Sequence, residues 1–148
     1  MPKPKKPTRK GLGEAADPRP AMKRAKDERK GAKDRYGLDE RQAAEKAYLA
    51  ATQAADVTGA KLRGRAPEGT GGRMLALSKL DREKGTHTVD AFAIVHENLH
   101  EQCFHEGSCS REALNEGYAA AERLVRDVQK HVGFAPFGPP KPRGRRGK

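Results

Sequence analysis

The sequence predicts a small α+β domain that is mostly helical, carries a short edge strand and is flanked by two flexible basic tails. Three observations lead to this prediction. Apolar residues recur at helical spacing in three stretches, one short stretch alternates between apolar and polar residues, and basic residues concentrate at both ends of the 148-residue chain. We expect the domain to span residues 36–132, and the tails to be residues 1–35 and 133–148.

The net charge of +11 belongs to the two ends of the chain. Residues 1–35 carry a net charge of +8 and residues 133–148 one of +5, whereas residues 36–132 sum to −2. Both ends are rich in Pro and Gly, and such segments cannot bury enough apolar surface to offset their chain entropy. We interpret them either as electrostatic tethers to nucleic acid or another polyanion, or as solubilising tails.

The sequence also bears on the cellular location of the protein. No stretch approaches the length of a transmembrane helix, and no apolar segment follows the basic N-terminus as it would in a secretory signal. We therefore expect a cytoplasmic protein that does not contact membranes; its oligomeric state is unknown. In that compartment Cys103 and Cys109 are expected to be thiols or metal ligands, and with His105 they form an alternative structural-zinc cluster that lacks a fourth ligand.

The first predicted elements of the domain are a helix and a strand. Alanines share one face of the helix predicted over residues 38–56, and Gly59 follows it as a stop signal. Residues 63–72 have the composition of a flexible connection. The next residues, RMLALSKL at 73–80, alternate as a strand does, with a helical turn as the alternative.

Two further helices are predicted in the C-terminal half. Thr88 can cap the first of them, and the sequence HEGSCS at residues 105–110 breaks it. Ser110 can cap the second, which ends at Gly133. Because these two helices are joined by a short loop, we expect them to pack as an antiparallel pair.

Residues 96–100, HENLH, match the pattern H-E-x-x-H on the first of these helices. Two histidines four residues apart on an α-helix differ by about 40° in azimuth, so His96 and His100 could bind one Zn²⁺ ion. Glu97 could then act as the general base toward a metal-bound water. The alternatives are a structural or regulatory metal and a solvated polar helix.

A catalytic zinc needs a third protein ligand. His105 would lie about 180° from His96 if the α-helix continued, so it is an alternative ligand only if the chain breaks before it. Glu116, on the following helix, is the preferred candidate, because an antiparallel pair would bring it against the two histidines. Gly117 beside it would allow the helices to approach closely.

The motif H-E-x-x-H, followed on the next helix by LNEGYA at residues 114–119, resembles the gluzincin branch of the zinc metallopeptidases. The resemblance covers about residues 72–124 and implies a minimal zincin-like fold. It implies that His96, His100 and Glu116 are the zinc ligands and that Glu97 is the catalytic base. It also implies that RMLALSKL is an edge strand that pairs with a bound peptide.

The function predicted from these features is hydrolysis of a protein or peptide substrate by a zinc metallopeptidase. Tyr118 is a candidate, by its chemistry alone, for stabilising the transition state. The alternative is a small basic nucleic-acid-associated or structural protein whose helical hairpin is not catalytic. The two hypotheses differ in whether the carboxylate of Glu97 is required.

Overall fold

The computed structural model describes residues 17–32 and 38–134, so the outer parts of both expected tails lie outside the described residues. The helices are α1 (Arg19–Ala32), α2 (Leu38–Arg63), α3 (Gly69–Lys84), α4 (Thr88–Val95), a π-helix (His96–His105) and α5 (Arg111–His131). These two ranges contain no strand, so the predicted α+β, zincin-like fold with an edge strand is wrong. None of the described helices is long and apolar enough to cross a membrane.

The segment RMLALSKL, predicted as a strand, lies inside α3. Ala76, Leu77 and Leu80 are buried, whereas the side chain of Leu75 is 60% exposed. This is the spacing of three to four residues that a helix buries along one side, and a strand would bury every second residue. The glycine-rich residues 69–72, expected to be a flexible connection, form the first turn of the same helix.

Helix α1 falls within residues 1–35, the segment whose composition indicates a tail. Three apolar residues at helical spacing are buried on it: Ala21, Met22 and Ala25. They pack against α2, where Lys46 also pairs with Glu28 of α1. A narrow apolar stripe is therefore enough to hold a strongly charged helix against the rest of the protein.

Helix α2 is the centre of the fold and contacts α1, α3, the π-helix and α5. One face consists of fully buried alanines: Ala43, Ala44, Ala47, Ala50, Ala51, Ala54 and Ala55. The helix predicted over residues 38–56 is confirmed, but it continues through Gly59 to Arg63. A Cβ atom at Gly59 would lie 2.5 Å from Cγ of Pro67, so this glycine serves a close approach and does not end the helix.

Helix α5 begins and ends where the sequence predicts. The hydroxyl of Ser110 accepts a hydrogen bond from the backbone N–H of Ala113, which is the geometry of an N-cap. Gly133, with φ 87°, follows the end of the helix. Gly117 allows α5 to touch the π-helix, because a Cβ atom there would lie 2.5 Å from Cδ2 of Leu99.

Candidate functional site

The segment that carries the histidines is wound as a π-helix over His96–His105. In this winding each N–H bonds to the carbonyl five residues earlier, as Glu106 does to Glu101 at 3.0 Å, so residues five apart lie on the same side of the helix. In an α-helix they would be about 140° apart. Three side-chain pairs have this spacing: His96–Glu101 at 3.8 Å, Glu97–Gln102 at 2.9 Å and His100–His105 at 3.2 Å.

His100 is the centre of the resulting cluster. Its Nε2 lies 3.2 Å from Nε2 of His105, and its Nδ1 lies 2.9 Å from Oε1 of Glu45 on α2. The ring of Tyr48, also on α2, stacks on the imidazole with 4.0 Å between ring centroids. Because a carboxylate only accepts hydrogen bonds, Glu45 favours the tautomer of His100 with the proton on Nδ1. The Nε2 lone pair of His100 then faces His105.

The structure does not bring together the predicted set of His96, His100 and Glu116. His96 and His100 are neighbours, with 5.5 Å between their ring centroids, but Nε2 of His96 faces the carboxylate of Glu101. The side chains whose possible ligand atoms lie within 4.8 Å of one another are His100, Glu101 and His105. Glu116 is exposed, and its Oε1 accepts a hydrogen bond of 3.0 Å from Nδ2 of Asn98.

The other two predicted residues also face different neighbours. Glu97 is exposed and accepts a hydrogen bond from the side chain of Gln102. Tyr118 is buried beneath α1, with the guanidinium carbon of Arg29 at 4.3 Å from its ring centroid. Burial raises the pKa of the Tyr118 hydroxyl, so it stays protonated.

The C-terminal end of the π-helix is fixed by groups that sequence reasoning missed. The guanidinium of Arg41 on α2 donates two hydrogen bonds to the carbonyl oxygen of Phe104, at 2.9 and 2.6 Å. It thereby satisfies a carbonyl that the end of a helix leaves without a partner. Arg41 and Glu45 stand four residues apart on α2, a spacing that places both on the side facing the π-helix.

Cys103 and Cys109 form a disulfide, so the expectation of thiols or metal ligands is wrong. The turn at Gly107, with φ 77°, returns the chain so that the two Cα atoms lie 4.4 Å apart. This separation is within the range that disulfides span. The bonded sulfurs are also not available for the alternative structural-zinc cluster with His105.

A second feature is the region where the start of α1 lies close to the residues that follow α5. The guanidinium carbon of Arg19, at the start of α1, lies 5.3 Å from the ring centroid of Phe134, which is 4% exposed. Nearby, Nζ of Lys61 on α2 donates to the carbonyl oxygen of Val132 at 3.1 Å. We call this region, defined by Arg19, Lys61 and Phe134, the tail end of the protein.

Within residues 17–32 and 38–134 these features define a small helical protein without strands, in which a π-helix that contacts a central helix carries a histidine cluster. A model of the archaeal PaREP1/PaREP8 family matches residues 21–125, which is more than half of the chain. The protein therefore belongs to this family. Nothing matches the chain among curated proteins or among solved structures.

Membership of this family overturns the resemblance to gluzincins, and with it the assignment as a zinc metallopeptidase and hydrolase. The arrangement of the motif also differs from the one that the resemblance implies. The motif is wound as a π-helix, and the carboxylate of Glu97 accepts a hydrogen bond from the side chain of Gln102. Glu116, in the LNEGYA segment, accepts a hydrogen bond from Asn98 and lies outside the group of possible ligand atoms of His100, Glu101 and His105.

Proposed function

We propose that this protein is a non-catalytic, nucleic-acid-associated protein. Two basic segments next to its tail end, residues 1–16 and 135–148, would bind the phosphate backbone of the nucleic acid. The contact between Arg19 and Phe134 carries the proposal. It puts Arg19 beside Phe134, and these two residues lie close in sequence to the basic residues 1–16 and 135–148 respectively.

The distribution of charge supports this proposal. Residues 1–16 contain five basic residues and one acid, and residues 135–148 contain five basic residues and no acid. Residues 17–134 contain 21 basic and 19 acidic residues, so the charges of the helical part nearly cancel. Nine of the eleven excess positive charges therefore belong to the two segments that adjoin the tail end.

Nucleic acid fits this arrangement better than a compact anion does. A chain of phosphates offers many charges in sequence, and Lys and Arg gain affinity by releasing the counterions condensed on it. Two basic segments with a common origin can bind the same strand, so the second binds at a high effective concentration. Contacts of this kind go to the backbone, so we expect little preference for base sequence.

The test is the salt dependence of binding to a fluorescent single-stranded RNA. If all ten basic residues of the two segments contact phosphates, the plot of log K against log salt should have a slope of about −7. Changing the five basic residues of either segment to Gln should bring the slope to about −3.5. The variants keep the full chain and change Lys3, Lys5, Lys6, Arg9 and Lys10, or Lys141, Arg143, Arg145, Arg146 and Lys148.

The matched control removes the same charge from the helical part. It changes five exposed residues to Gln: Arg24, Arg65, Arg82, Lys84 and Arg111. We expect this variant to keep a slope close to that of the unchanged protein. Failure of the unchanged protein to bind RNA at low salt, or equal losses in the control and the segment variants, would contradict the proposal.

A further inference from the structure

We infer that His100, His105 and Glu101 form a binding site for a divalent transition-metal ion, with Zn²⁺ as the test ion. The site differs from the one predicted by H-E-x-x-H, because it uses neither His96 nor Glu116 and assigns no role to Glu97. It is independent of the nucleic-acid proposal, since it lies on the π-helix and rests on none of the basic segments. We assign the site a structural role, which is to stabilise the fold, and we propose no reaction at it.

The distance between the two imidazoles is the first argument. Nε2 of His100 and Nε2 of His105 are 3.2 Å apart. Two nitrogen ligands at about 2.0–2.1 Å from a tetrahedral zinc are separated by about 3.3 Å. The two nitrogen atoms therefore already have the separation that a single ion demands, and binding requires a reorientation of the rings, which meet edge to face with centroids 4.4 Å apart.

The second argument is the support behind His100. Metal-binding histidines commonly donate their other ring N–H to a carboxylate, which orients the ring and makes the free nitrogen a better ligand. Oε1 of Glu45 occupies that position, 2.9 Å from Nδ1 of His100. Tyr48 stacks on one face of the ring, so its orientation is held by packing as well as by the hydrogen bond.

Glu101 completes the set as an oxygen ligand. Its carboxylate lies with the two histidines in a group whose ligand atoms are all within 4.8 Å. The side chain of Glu101 is 41% exposed and His105 is also exposed, so an ion can enter from solvent and keep a water as its fourth ligand. Two imidazoles and one carboxylate suit Zn²⁺, Co²⁺, Ni²⁺ and Cu²⁺ better than Mg²⁺ or Ca²⁺.

The winding of the helix explains why the site exists. Segments of π-helix are rare and occur often at functional sites. Here the winding brings the ring of His105 edge-on to that of His100, with 4.4 Å between centroids, whereas an α-helix of the same sequence would separate the two residues by about 140°. A bound ion would join two successive turns of the π-helix, and through Glu45 it would link them to α2. Metal binding should therefore raise the thermal midpoint of unfolding.

The experiment is a titration of tag-free, chelator-treated protein with Co²⁺, followed by displacement with Zn²⁺. Co²⁺ in a near-tetrahedral site absorbs in the visible range, so the ligand geometry is read directly. We expect one ion per chain and a higher midpoint of unfolding with Zn²⁺. His105→Ala changes an exposed residue and should keep the fold, but it should weaken Co²⁺ binding at least tenfold.

The controls separate this site from other sources of binding. His87→Ala removes an exposed histidine away from the cluster, and Glu116→Gln removes the carboxylate that the zincin hypothesis would use. Both should bind Co²⁺ as the unchanged protein does, while Glu101→Gln should bind more weakly. Absence of binding, binding unaffected by His105→Ala, or loss of binding in Glu116→Gln would overturn the inference.

Discussion

The alanine face of α2 and the π-helix are two neighbouring regions that are held in place by different means. The α2 face is a run of small, fully buried side chains, which let α1 and α5 approach closely while each contributes little by itself. The π-helix is held by a few specific partners: Arg41 at the carbonyl of Phe104, Glu45 at the ring of His100, and the disulfide between Cys103 and Cys109. Single substitutions should therefore affect the two regions differently.

The largest change in the free energy of unfolding is expected for a buried leucine of the π-helix. Leu99 is fully buried and fills the space that Gly117 leaves open on α5. Leu99→Ala should lower the free energy of unfolding by about 3 kcal/mol, because it removes buried methyl groups and leaves a cavity. Urea denaturation measures the change. Leu75→Ala, at a leucine that is 60% exposed on α3, is the control and should change stability by less than about 0.5 kcal/mol.

Removing the disulfide should have the next largest effect. Cys109→Ser should lower the free energy of unfolding by about 2 kcal/mol, since the bond closes a short loop whose freedom the unfolded chain would recover. Urea denaturation of the unchanged protein with a strong reductant should approach the same value. If the variant and the reduced protein both matched the oxidised protein, the disulfide would have no part in holding the π-helix.

Two glycine substitutions compare a closely packed position on α2 with an open position on α3. Gly59→Ala should lower stability by about 1–2 kcal/mol, since its Cβ atom would collide with Pro67. Gly71→Ala in α3 should raise stability by about 0.5 kcal/mol, because open space surrounds that position and alanine favours a helix. Thermal unfolding of both variants measures whether each substitution lowers or raises stability. Higher stability of Gly59→Ala would show that α2 and Pro67 are loosely packed.

The smallest expected effect is on the pH dependence of stability, and it concerns Asp81. This residue accepts hydrogen bonds from the backbone N–H groups of Thr88 and Val89 at the start of α4. Partial burial acts to raise the pKa of this carboxyl, but the hydrogen bonds from Thr86, Thr88 and Val89 outweigh it and lower the pKa below its usual value. The stabilisation is therefore complete above about pH 4 and is lost as the pH falls through the lowered pKa.

Asp81→Asn should remove this part of the pH dependence while retaining one acceptor oxygen, so that only one of the backbone N–H groups of Thr88 and Val89 keeps its partner. The measurement is the free energy of unfolding of both proteins from neutral pH to about pH 2. The difference between them should shrink as the pH falls. A constant difference over that range would show that the ionised carboxylate of Asp81 contributes no stabilisation.

Much of the helical framework follows from local sequence signals. The alanine spacing predicts α2, and Ser110 and Gly133 predict the ends of α5 because capping depends on one or two residues. The assignment of residues 73–80 failed because Met74, Ala76 and Leu80 fit an alternating pattern by chance. The exposure of Leu75 and the burial of Leu77 become evident only when the packing partners of α3 are known.

The histidine cluster could not be located from periodicity. Spacing arguments assume 3.6 residues per turn, and this places His105 on the far side of the helix from His96. The π-winding depends on partners distant in sequence, such as Arg41 and Glu45, and on the closure of the chain at Gly107. No pattern within residues 96–105 reports these contacts.

The edge-to-face contact of His105 with His100 is tested most directly by nuclear Overhauser contacts between the ring protons of the two imidazoles in metal-free protein. With the Nε2 atoms 3.2 Å apart, strong cross-peaks between these rings are predicted, together with backbone contacts characteristic of hydrogen bonds that span five residues. Absence of ring-to-ring cross-peaks, with the contact pattern of a regular α-helix through residues 96–105, would contradict the account.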